Sequence, residues 1–223
     1  MIFILPVISV WVGYIVAIFL KPKSPKGIQL LLAFSGAFLL ALTFFELLPE
    51  VYESENSKEI AVYILVGILL QIFLEFFSKG AEHGHTHIQV KKSNFPIILF
   101  ISLSLHALVE GVPIEEGNSI LYGIIIHKLP VAIILSTFLI NSKIKPVNTL
   151  IFIAAFSLIT PLGTYLATQT NLIASFGSQI TAIAIGVFLH VSTIILFESS
   201  KDHSLDFKKL GVIMVGVVLA YFL

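Results

Sequence analysis

The 223 residues contain no cysteine and no arginine. Without cysteine the chain builds no disulfide framework and no thiolate metal site. Charge is scarce as well: 12% of the residues are charged, where about a quarter is usual in a soluble domain. The 13 basic residues, all lysine, balance 13 acids, so formal net charge is zero and there is no basic face for nucleic acid. No HExxH zinc-hydrolase motif, low-complexity tract or long polar domain interrupts the chain, apart from the short histidine repeat HGHTH at 83–87. The opening block, MIFILPVISVWVGYIVAIFL, has no charged leader and no small-residue cleavage site, and reads as a retained membrane helix.

What is abundant is hydrocarbon. Hydrophobic residues make up 57% of the chain, and mean hydropathy is +1.01. A bilayer core of about 30 Å takes about 20 apolar residues as helix. Runs of that kind lie near residues 2–20, 28–49, 59–78, 95–113, 118–140, 147–168, 175–198 and 208–223. The expected fold is therefore an all-α integral membrane protein with eight transmembrane helices in a single domain, 1–223. With eight crossings the lysines segregate. Lys21, Lys23, Lys26, Lys79, Lys91, Lys92, Lys143, Lys145, Lys201, Lys208 and Lys209 fall on one face, and of the remaining two only Lys58 falls on the other. The lysine-rich face is cytoplasmic by the positive-inside rule. Both termini are then outside, in the plasma or inner membrane. The outer connections are acidic, with Glu50, Glu53, Glu55 and Glu59 in one and Glu115 and Glu116 in another.

Ionisable groups inside spans are rare and face cavities, pathways or each other. Glu46, Glu75 and Glu198 lie near span ends, and the plainer reading of each is a side chain reaching interfacial water. His106, Glu110, His127 and Lys128 lie deeper. At 1.5 Å per residue, His106 falls about 14 Å and His127 about 13 Å below the outer edge, on neighbouring antiparallel spans. Glu110 stands one turn from His106 on the same helical face. Two imidazoles and a carboxylate converging at mid-membrane suit a divalent metal, Zn²⁺ above all. Pro130 is expected to break its helix there and free the carbonyl of Ile126. His190, in GVFLHVSTIILFE, is either a packing histidine or part of the pathway.

These residues carry a family resemblance. His106 and Glu110 in HALVEG, HKLPVA from His127, FFELLPE at 44–50, LITPLGTYL and GVFLHVS together resemble the ZIP family (Zrt/Irt-like) of divalent-metal transporters over essentially the whole chain. The resemblance implies spans four and five sandwiched between two inverted three-helix repeats, a 3+2+3 arrangement. It also implies metal ligands on those two spans and uptake toward the cytoplasm. The chain departs from the family pattern at several positions. Ala107 stands where many members have a ligating Asn, Lys128 where they have an acid, and Val131 where they have a second Glu or His. Glu46 replaces a usual His and His190 a common Tyr.

The expected metal ligands are thus His106, Glu110 and His127. Lys128, Glu46 and His190 are candidates for the pathway or for tuning its charge, with Lys128 standing in the place of a second metal. His83, His85 and His87 are candidates for metal handling on the cytoplasmic side. The function that follows is a divalent-metal transporter, with Zn²⁺ as transported substrate and no prosthetic group. The partners are the ion and the lipid bilayer, and homodimerisation is left open. The alternatives are an intramembrane zinc metallohydrolase, which lacks a general base near Glu110, and a membrane metal sensor without flux.

Overall fold

The computed structural model describes residues 1–20, 25–54, 56–78, 95–142, 144–170, 176–198 and 207–223. Every regular element among them is helical: α1 Ile4–Leu20, α2 Pro25–Leu42, a π-helical turn Thr43–Leu47, α3 Leu48–Ser54, α4 Ser57–Ser78, α5 Ile97–Gly111, α6 Ile120–Asn141, α7 Pro146–Gln169, α8 Gly177–Glu198 and α9 Phe207–Tyr221. The segment from α2 through α3 is one continuous rod. Helix thus occupies the core of each apolar run in the sequence. Gly27–Glu53, α4, α6, α7 and Gly177–Phe197 are long and apolar enough to cross a membrane, and α1 and α5 carry shorter apolar helices.

Local signals explain several boundaries. Asn56 caps α4: its side-chain oxygen accepts from the Lys58 amide at 3.1 Å and its carbonyl accepts from Ile60 at 3.0 Å. Pro146 begins α7, where a missing amide costs nothing. Gly117 makes the turn before α6 at φ 94°, a conformation natural to glycine. The π turn ends just before Pro49, whose ring would clash with the carbonyl of Phe45 in a regular helix. Pro130 does not break its helix, contrary to the sequence expectation. α6 runs unbroken from Ile120 to Asn141 with Pro130 buried inside it. Beside the proline, the Ser9 hydroxyl of α1 donates to the carbonyl of Ile125 at 2.8 Å.

Side-chain partition is that of a protein solvated by hydrocarbon. On α4, Val62, Leu65, Leu69, Phe73 and Phe76 form an exposed apolar stripe. Its opposite, buried stripe runs Ile60, Ile64, Gly67, Gln71, Leu74 and Ser78, and ends in polar residues. α6 is the most enclosed of the five long helices and α4 the least.

The helices pack as four pairs: α1 on α6, α2 on α9, α4 on α8 and α5 on α7. Each pair crosses at small residues, as membrane helices do when backbones must approach. Gly67 faces Gly186 between α4 and α8, and Gly111 faces Gly163 between α5 and α7. At all four a Cβ would run into a carbonyl of the partner helix. Gly13 meets Ala132 between α1 and α6, and Gly216 meets Ala37 between α9 and α2. Hydroxyls of α7 tighten the α5 contact: Thr160 donates to the Ala107 carbonyl at 3.0 Å and Thr164 to the Gly111 carbonyl at 2.8 Å. α5 and α6, by contrast, share little direct packing.

Candidate metal centre

The gap between α5 and α6 is bridged by side chains. α5 contributes His106 and Glu110, stacked one turn apart, and α6 contributes His127 and Lys128. All four are buried, with 4% exposure or less. Glu110 is the hub. Its Oε1 lies 3.1 Å from His106 Nε2 and 3.8 Å from His127 Nε2. Its Oε2 accepts from Lys128 Nζ at 2.6 Å. One potential ligand atom from each of His106, Glu110 and His127 lies within 4.8 Å of the others, a spread that one ion can span after small side-chain adjustments.

Charge balance keeps this cluster in an apolar interior. A carboxylate alone at mid-membrane is costly, and a paired one far less so. Lys128 neutralises Glu110, and its ammonium also sits 5.4 Å from the centre of the Phe156 ring of α7. The flexible lysine stem carries the charge from α6 across to α5. Ala107 and Val131, the two further departures on α5 and α6, are buried and offer no side-chain donor. The Ala107 carbonyl is engaged by Thr160.

Gln71 escaped the sequence reading. It is fully buried on α4, and its Oε1 lies 2.9 Å from His106 Nδ1. An amide oxygen at that place can accept from Nδ1–H, which, once an ion takes the place between Nε2 and Glu110, would leave the Nε2 lone pair for that ion. Second partners of this kind fix the tautomer and orientation of metal-binding histidines. A neutral glutamine in an apolar helix gives no sequence signal of such a role.

The remaining candidates lie elsewhere. His190 on α8 pairs with Glu75 on α4, Nε2 to Oε2, at 2.7 Å. This corrects the reading of Glu75 as a side chain reaching for interfacial water. Glu46 is partly buried in the π turn and is not part of the three-residue cluster. His83, His85 and His87 lie outside the described residues, as does the side chain of Glu198.

Comparison with known proteins decides the family. The profile described as ZIP Zinc transporter matches residues 78–223, more than half of the chain and the part that carries α5 and α6. The chain belongs to the ZIP family. Among curated relatives it is 31% identical over 147 residues to Protein zntD of Dictyostelium discoideum, covering 56% of this chain and 22% of that protein. It is 26% identical over 124 residues to Zinc transporter ZIP1 of Danio rerio, covering 51% and 41%, and 30% identical over 90 residues to Zinc transporter ZIP1 of Takifugu rubripes, covering 38% and 30%. The matched stretches are less than half the length of each of these relatives. This ZIP protein is an integral, multi-pass membrane protein.

Proposed function

We propose that this ZIP protein moves a divalent metal ion, Zn²⁺ in first place, across the membrane toward the cytoplasm through His106, Glu110 and His127. The observation that carries the reading is the buried convergence of two imidazoles and one carboxylate from two helices. Nitrogen and oxygen donors in that number suit Zn²⁺ and leave a position for water or a further ligand. Two relatives named as zinc transporters support the choice of ion.

Lys128 limits the centre to one ion. It holds the carboxylate oxygen that a second metal would otherwise share. The same ammonium argues against the hydrolase reading, because it takes up the oxygen that a water-activating base would need.

In the inferred topology, with both termini outside and the lysine-rich connections inside, the ion would cross by alternating access. The packing pairs support an inverted repeat. Take the rods in chain order, and exchange the first three for the last three and the fourth for the fifth. The first-on-fifth contact (α1 on α6) becomes the sixth-on-fourth (α7 on α5), and the third-on-seventh (α4 on α8) becomes the eighth-on-second (α9 on α2).

The test is flux into proteoliposomes across a panel of divalent ions, for the native chain and for His106→Ala, Glu110→Ala and His127→Ala. Each variant is expected to fold, to bind metal at least about tenfold more weakly and to lose most uptake. Native flux in all three variants rules out this site.

A further inference from the structure

Lys128 places a cation beside Glu110 before any metal arrives, and an arriving ion has to share the carboxylate with it. Among the described residues the Lys128 ammonium has two partners. One is Glu110 Oε2 at 2.6 Å; the other is the ring of Phe156 on α7, whose centre is 5.4 Å away. Lysine and ring are 4% and 3% exposed, so the ammonium cannot turn to water without leaving the interior.

A divalent ion on Glu110 would act on this pair twice. It would take up the negative charge that holds the ammonium, and it would repel the ammonium itself. In an interior without water neither effect is screened. Leaving the ammonium buried and poorly partnered is costly, so ion binding is easier where a second partner stands ready. An aromatic face is such a partner. Its quadrupole attracts a cation within about 6 Å of the ring centre, and more strongly when the cation is desolvated. The flexible lysine stem can make the shift without movement of α6.

The ring is also held in place. Phe152, one turn before Phe156 on α7, lies 6.4 Å from it between ring centres, and Phe95 and Phe100 pack on Phe152 at 5.6 and 5.1 Å. Phe156 is the member of this row that meets Lys128.

We propose that Phe156 is a positioning residue that sets the affinity of the centre: its ring face takes over the Lys128 ammonium as a divalent ion binds Glu110. The ammonium draws back toward the ring and still fills the place of a second ion. This rests on the reading of the centre given under Proposed function.

Zn²⁺ titration calorimetry on the purified full chain tests it, with Phe156 replaced in turn by mono-, di- and trifluorophenylalanine. Fluorine drains the negative face of the ring and barely alters its shape, so a role in packing alone gives no trend. Affinity for Zn²⁺ is expected to fall with each fluorine, to about tenfold below native in the trifluoro protein. In the Lys128→Met background the same series is expected to be flat within about twofold, because the cation is gone. Glu110→Ala, titrated beside them, is expected to lose the binding event. A flat series in the native chain, or an equal slope in Lys128→Met, overturns the role of Phe156 and leaves the centre standing. Native affinity in Glu110→Ala overturns the centre, and the proposal with it.

Discussion

At the residue scale, the proposed roles divide between side chains that would meet the ion and side chains that hold them in place. His106, Glu110 and His127 were legible because ionisable groups in an apolar run stand out and because helical rise puts them at one depth. The bond from Lys128 to Glu110 follows from a long stem one position from His127. Gln71 and the Glu75–His190 pair were not legible, since neither a neutral amide nor a contact across 115 positions leaves a periodic trace. Gln71→Ala is expected to weaken Zn²⁺ binding by about 10- to 100-fold with the three ligands intact. Calorimetry checks this, and unchanged affinity removes Gln71 from the account. Lys128→Met leaves Glu110 as a buried charge without its ammonium, a change that costs about 3–5 kcal/mol in comparable buried pairs. Its metal-free melting temperature is expected to drop well below that of the native chain. Added Zn²⁺ is expected to recover more of that loss than it adds to the native chain, because the ion replaces the missing cation.

At the scale of elements, the helices were readable from apolar length alone, but their pairing was not. Apolar runs say that a helix exists, whereas crossings depend on which small residues face each other. Gly111→Ala places a methyl group against the Thr160 carbonyl, and Gly67→Ala places one against Ile183. Each is expected to destabilise the protein by about 1–3 kcal/mol, the usual cost of overpacking. Gly211→Ala, where nothing lies within 4 Å, is the control and is expected to be neutral or slightly stabilising. Thermal unfolding in detergent separates the two outcomes. Pro130 shows the limit of a local rule. The proline removes one amide, yet α6 continues through it, and one turn earlier the Ile125 carbonyl takes a hydrogen bond from Ser9 of α1.

At the scale of the whole molecule, the proposed orientation rests on lysine placement, and the absence of cysteine makes it testable. In intact cells a membrane-impermeant maleimide is expected to label Glu115→Cys and to leave Lys145→Cys unlabelled until the membrane is opened. The reverse pattern inverts the topology. The weak direct packing between α5 and α6 has its own consequence. Each of these helices is locked to a different neighbour, and between them stand the side chains that would hold the cargo. An ion seated there would add a tie between two helices that touch each other little. At a hundred times its dissociation constant such a ligand adds about 2.7 kcal/mol to stability. If the site holds metal, a metal-starved cell would carry a looser molecule, one that proteases reach sooner, and the lifetime of the protein would become a record of metal supply.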